Sequence, residues 1–191
     1  MSGIDSAQYK PLSSLQVWAD NYNVGDVEAI ALSIRRFGFN GALRVWGANI
    51  VMAGNHSLLA LRQIKEQGAN PELDRTFPPE HILVAKGEWY VRYIDVSHLD
   101  PLEAKAYAIA DNQTVRLAVP DEKKLTQYLR EIGERDKRLI AAMGFDEVQV
   151  QDMIRRYSTQ ELPAAFPEYD ETIANSVKMV TCPHCGKQFP L

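Results

Sequence analysis

The chain has 191 residues, 46% hydrophobic and 24% charged, which excludes a disordered or fibrous protein. Lys and Arg total 21 against 25 Asp and Glu, a net charge of −4, and no segment is basic: 11 against 13 in residues 1–119, 8 against 8 in 120–158, 2 against 4 in 159–191. Duplex binding rests largely on phosphate neutralisation, so this charge balance argues against strong autonomous DNA binding. No apolar run reaches the roughly 18–20 residues of a membrane span, and MSGIDSAQYKPLSS is no secretory signal, so the expected compartment is the cytoplasm without membrane contact.

In chain order, residues 1–14 are polar and Ser-rich and read as a flexible arm. Leu15 to Trp18 reads as a short strand. The polar loop Asn21-Tyr22-Asn23-Val24-Gly25 leads to Asp26, an N-cap. Val27, Ile30, Ala31, Ile34 and Phe37 then share one helix face, and Gly38 ends the helix. Ala42–Trp46 and Ile50–Ala53 form a hairpin pattern around Gly47-Ala48-Asn49. Gly54-Asn55-His56-Ser57 opens a second helix that Gly68 ends. Residues 69–81, polar and Pro-rich, read as a surface insertion. Ile82–Ala85 and Trp89–Val96 read as strands with Gly87 between them. Asp100-Pro101-Leu102-Glu103 carries three helix-start signals, and that helix is expected to run to about Asp111-Asn112.

From Pro120 the pattern is helical. Leu125, Tyr128, Leu129 and Ile132 mark one helix; Leu139, Ile140 and Met143 a second, ended by Gly144. Asp146 and Gln149 resemble a capping box before Val150, Met153, Ile154 and Tyr157. The fold class expected is therefore α/β (α+β): a small mixed-sheet domain over 15–119, a helical subdomain over 120–158, a linker over 159–176 and a knuckle-like tail over 177–191.

Four groups of residues carry chemistry. Gly54, Asn55, His56 and Ser57 sit where a strand turns into a helix, so helix N–H groups and three polar side chains are available to a phosphate; a plain capped turn is the structural alternative. Asp111, Asn112, Gln113 and Arg116 place an acid, two amides and a base together, suited to a nucleotide or metal, or simply to a polar helix end. The loop at 21–28, including Glu28, precedes a capped helix, and alone it reads as capping. Cys182-Pro-His-Cys185-Gly-Lys resembles one knuckle of a zinc ribbon, two thiolates where a structural zinc needs four ligands. A second copy in a homodimer would complete such a site; a reduced dithiol is the alternative. Trp46, Trp89 and Tyr90 suit base stacking in principle, but core packing is the better reading.

Taken in order, NYNVGDVEAIALSIRRFGFNGALRVW, IVMAGNHSLLAL, YIDV and EAKAYAIADNQ resemble the N-terminal domain of the ParB/sulfiredoxin superfamily, over about Leu15 to Arg116. GDVxAI, AGNHxL and ADN are shared most closely with small ParB-like proteins of phages and mobile elements, often called ParB-like nuclease-domain proteins. The resemblance implies a nucleoside triphosphate site, with CTP bound in chromosome-partition members and ATP in sulfiredoxins, and with Mg2+ as companion ion. By position, Gly54, Asn55, His56 and Ser57 would face the phosphates, Asp111 and Asn112 would form the second nucleotide motif, and Glu28 would lie near the cleft. The chain departs from the family at Ser57, where an arginine is usual, and from the sulfiredoxins at Asn55, where they carry cysteine. Residues 120–158 carry no net charge, unlike the DNA-reading unit that follows in partition proteins.

Three readings follow. The first is an accessory protein of DNA metabolism in a phage or mobile element, binding a nucleotide or nucleic-acid phosphate at Gly54–Ser57. The second is a metal-dependent nuclease, phosphotransferase or NTPase with Glu28, His56 and Asp111 as catalytic groups. The third is a silent interaction module partnering a DNA methyltransferase or packaging enzyme. In each, the partner is DNA or a DNA-processing enzyme.

Overall fold

Aspartate opens five of the six helices of the described residues, and the sixth begins at a glycine. The computed structural model describes residues 8–158 and 179–190. Its helices are α1 (Val27–Phe37), α2 (Asn55–Gln67), α3 (Pro101–Arg116), α4 (Glu122–Arg135), α5 (Lys137–Ala142) and α6 (Glu147–Ser158). Asp26, Asp100, Asp121, Asp136 and Asp146 each accept a hydrogen bond from a first-turn N–H of α1, α3, α4, α5 and α6 respectively. Each such cap is worth about 1 kcal/mol.

Six strands form a mixed sheet: β1 (Tyr9–Pro11), β2 (Gln16–Val17), β3 (Leu43–Trp46), β4 (Ile50–Ala53), β5 (Leu83–Ala85) and β6 (Glu88–Asp95). The order is β1-β6-β3-β4-β2, with β5 also paired to β6. The β3–β4 hairpin is antiparallel, as are β1 and β5 against β6. The β3–β6 and β2–β4 pairs are parallel.

Alternation along β4 divides the core between the two faces of the sheet. Val51 packs with Ala31, Ile34, Leu58, Leu61 and Ile64 of α1 and α2. Ile50 and Met52 face the other way, against Ala104 and Ala108 of α3, with Trp18 and Trp46. Small alanines let α3 lie close to the sheet. Leu58, Leu61 and Ile64 are fully buried, each contributing about 1.5–3 kcal/mol. The remaining helices have their own core of Leu129, Ile140 and Val150, with Leu125, Ile132, Met143 and Ile154 beside it. They are tied to α1 by Arg36, which donates to Asp136 at 2.8 Å. Hydrogen bonds from Arg138 first, and the charges of Arg138 and Arg36, hold the Asp136 carboxyl below the usual aspartate range.

Two expectations change, and a third gains detail. The stretch read as an arm is structured from Tyr9: β1 pairs with β6, and Leu12 is buried. Lys10 lies over the Tyr93 ring at 5.0 Å and donates to Ala48 O at 3.0 Å, ties too distant in sequence for periodicity to reveal. Residues 1–7 lie outside the described residues. The insertion at 69–81 lies at the surface, as its composition implies, and is anchored there. Arg35 donates to Asp74 at 2.6 Å in a pair only 3% and 5% exposed, and Phe77 meets Trp89 edge-on at 5.7 Å. Finally, α3 continues past Asn112 to Arg116, because Asn112 and Thr114 bond back to Ala108 O and Ala110 O instead of competing with the helix.

The chain forms two units, Met1–Ile154 and Arg155–Leu191. In the second, β7 (Met179–Thr181) and β8 (Gln188–Pro190) pair antiparallel. The linker expected at 159–176 lies outside the described residues. Among the described residues no helix is long and apolar enough to cross a membrane.

Candidate functional site

The helix without a side-chain cap is α2. Gly54 occupies its N-cap position with φ +94°, a left-handed conformation open to glycine at little cost. The first bond of the helix runs from Leu58 N–H to Gly54 O at 2.9 Å. The N–H groups of Asn55, His56 and Ser57 therefore precede the helical ladder, at the positive end of the helix dipole.

These residues line a cleft of about 230 Å³. Its walls are Gly54–Ser57, Asn21 and Asn23 from the loop before α1, and Asp111 and Asn112 from α3; Ile30 and Met52 supply apolar floor. Segments about thirty and fifty residues apart in sequence thus meet at one place, a spacing on which local pattern is silent. The cleft unites the Gly54–Ser57 turn with Asp111 and Asn112. Glu28 is not among its lining residues; its carboxylate accepts from Gln63 Nε2 of α2 at 2.8 Å.

The polar side chains divide into those that build the cleft and those that face it. Asn55 is buried, and its Oδ1 accepts from Trp18 N–H at 2.9 Å, so this side chain holds the end of β2 to α2. His56 Nε2 accepts from Gly25 N–H at 2.9 Å. This commits the Nε2 lone pair to the loop. Asn23 Nδ2 donates to Asn112 Oδ1 at 3.1 Å, and Arg116 donates to Asn23 Oδ1 at 2.7 Å. The loop is thereby fastened to α2 on one side and to α3 on the other. Asp111 is half-buried in the wall, and its carboxylate has no hydrogen-bond partner among the described residues.

Two glycines at the cleft answer to packing around them. A Cβ on Gly54 would meet Leu43 Cδ2 at 2.7 Å, on the core side, so this glycine serves the turn rather than the approach of a ligand. A Cβ on Gly25 would meet His56 Nδ1 at 2.7 Å, so here a glycine is needed for the ring to close on the loop. Pattern reading placed Gly25 and Asn23 in a capping loop and missed their part in the cleft. The available signal was a glycine directly before the N-cap, where a helix start alone requires none.

The cations nearest in sequence are turned away. Arg62 donates to Leu15 O, and Lys65 pairs with Glu88 at 2.7 Å. Arg116 is the cation beside the cleft, through Asn23. Trp46 donates to Leu99 O at 2.9 Å and Trp89 is buried, so both are packing residues. A further groove of about 450 Å³ lies among α4, α5 and α6, with Leu129, Ile140 and Ile154 in its lining; it contains none of the predicted site residues. Cys182 and Cys185 sit in the turn between β7 and β8.

No protein-family model matches the sequence, and no curated protein matches it. The fold does have a solved counterpart. The C-terminally truncated chromosome-partitioning protein ParB from Caulobacter crescentus, complexed with CTP-gamma-S, superposes with a TM-score of 0.55 at 16% identity, over 82% of this chain and 79% of that one. At this identity the likeness establishes the architecture: the chain has a mixed α/β, ParB-like fold.

Proposed function

We propose that the cleft binds the phosphates of a nucleoside triphosphate, CTP first among the candidates, and that the protein is a nucleotide-dependent accessory of DNA metabolism. One observation carries this reading: the uncapped start of α2, the 21–25 loop and Asp111-Asn112 converge on one cleft. Free helix N–H groups are a ready phosphate cradle. The fold's solved counterpart was crystallised with a CTP analogue, which supports the choice of nucleotide. Arg116, bonded to the cleft residue Asn23, is the nearby cation that can stand in for the arginine missing at Ser57. Asp111 suits a Mg2+ arriving with the phosphates, since that ion is commonly held by one or two carboxylates plus phosphate oxygens.

The catalytic reading draws less support. Glu28 lies outside the wall and is bonded to Gln63, and His56 Nε2 is occupied by Gly25, which leaves Asp111 as the carboxylate in the wall with no hydrogen-bond partner among the described residues. The protein is therefore read as a binding module, working in the cytoplasm on DNA or with a DNA-processing enzyme such as a methyltransferase or packaging enzyme, in a phage or mobile element. With net charge −4, contact with DNA runs through such a partner.

A thermal-shift panel of CTP, ATP, GTP and UTP, with and without Mg2+, tests the reading. A bound nucleotide stabilises by RT ln(1 + [L]/Kd), about 2.7 kcal/mol at a hundredfold excess over Kd. CTP with Mg2+ is expected to raise Tm most. No shift with any of the four at millimolar concentration overturns the proposal.

A further inference from the structure

The second unit holds a feature that the cleft does not explain. Its two strands are three residues each, in register Met179 with Pro190, Val180 with Phe189 and Thr181 with Gln188. Met179 and Phe189 are each about half exposed, at 51% and 48%. A hairpin this short has no core of its own and needs a staple.

Its turn is built around two sulfurs. Cys182 N–H donates to Lys187 O and Gly186 N–H donates to Cys182 O, both at 2.9 Å, which closes the loop into a tight knuckle. Gly186 takes φ +71°, a left-handed step that folds the chain back under Cys185. The backbone N–H groups of His184 and Cys185 point at the Cys182 sulfur, and the Cys185 side chain bonds to it as well. Amides aimed at a sulfur offset the charge of a metal-bound thiolate, as outer-shell groups do for metal ligands generally.

The knuckle is half of a coordination sphere. Structural Zn2+ takes four ligands in a tetrahedron. The 191 residues contain two cysteines, and among the described residues no three metal-ligating side chains come together. His184 lies between the cysteines and is exposed. We propose that Cys182 and Cys185 bind one Zn2+ jointly with the same pair from a second copy, joining two chains through their tails. Four thiols lose their protons on binding, giving a tetrathiolate of net charge −2 with a Lys187 beside each pair. The half-exposed Met179 and Phe189 provide apolar surface for the second hairpin to cover.

The test is metal content and mass on the 191-residue chain, purified in reductant without chelator. One zinc per two chains is expected, in a dimer that a chelator converts to monomer. Cobalt should give the strong visible bands of a tetrahedral site with thiolate charge transfer. Cys182→Ser and Cys185→Ser should each lose metal and dimer together with the thermal unfolding of the first unit unchanged, while His184→Ala keeps both. The proposal fails if the protein neither carries zinc nor takes up cobalt, if one zinc is held per monomer, or if His184→Ala releases the metal. The nucleotide panel reads the other unit, so the two proposals stand or fall separately.

Discussion

Gly25 and His56 form a clasp: the glycine N–H donates to the imidazole Nε2 at 2.9 Å, and a Cβ at Gly25 would come within 2.7 Å of the ring. The clasp closes the 21–25 loop over the start of α2. Gly25→Ala is expected to open it, at a cost of about 1–2 kcal/mol for the lost bond and displaced ring. His56→Ala opens it without the clash. Both should weaken nucleotide binding similarly, and the double variant should be no worse than the single ones, because one contact is removed either way. Calorimetric titration of the three variants checks this. Additive losses would mean that His56 contacts the ligand itself.

Asp111 should separate binding from stability. Its carboxylate makes no hydrogen bond to the described residues, so Asp111→Asn should change unfolding free energy by no more than about 0.5 kcal/mol. The Mg2+-dependent part of nucleotide binding should disappear, which titrations in Mg2+ and in EDTA measure directly. An unchanged Mg2+ dependence places the ion elsewhere.

Arg35 and Asp74 make the opposite case, a pair with structural weight and no part in the cleft. They meet at 2.6 Å, almost fully buried, and Arg35 also donates to Gly68 O and Gln67 Oε1. Asp74→Ala leaves a buried guanidinium without its counter-charge, so urea unfolding should show a loss of about 3–5 kcal/mol. Replacing both by apolar residues, Arg35→Met with Asp74→Leu, should recover most of it. A cost below about 1 kcal/mol for Asp74→Ala would show that water reaches the site.

Acid should loosen α4–α6 before the sheet. The Asp136 carboxyl titrates below its unfolded value because Arg138 first, and Arg36 after it, favour the charged form. A depressed carboxylate adds stability that is complete above the unfolded aspartate value and is lost as pH falls through the folded one. Asp136 also caps α5 and receives Arg36 of α1, so its protonation releases both. Hydrogen exchange measured down a pH series should show α4–α6 amides losing protection first. Asp136→Asn should remove that step and lower protection there at neutral pH.

Helix starts were legible because capping is local. Asp26, Asp100 and the Asp146–Gln149 pair announce themselves within four residues, and each caps its helix as the pattern implies. The two sheet faces were not legible, since Ile50–Ala53 is apolar throughout and only the packing shows Val51 on one face and Ile50 and Met52 on the other. The early strand β1 was not either, because Tyr9–Pro11 is three residues long and is held by Lys10 reaching Asn49 and Tyr93. The Arg35–Asp74 tie was hidden for the same reason, since 39 positions separate its partners. At the cleft, residue types were readable and geometry was not. Asn55 and Ser57 look alike in kind on paper, yet Asn55 Oδ1 binds Trp18 N–H, and a Cβ at Gly54 would point toward Leu43.

The sheet order has a practical consequence. Its two outer positions, β1 and β2, come from one stretch of nine residues, Tyr9 to Val17, so a single piece of chain covers both open borders of the sheet. An N-terminal trim that begins the protein at Trp18 would uncover the outer side of β6 and the outer side of β4 in one cut. Unpaired strand borders recruit other chains. Such a shortened protein would meet its own copies along two surfaces, a geometry that grows into open-ended assemblies rather than stopping at pairs.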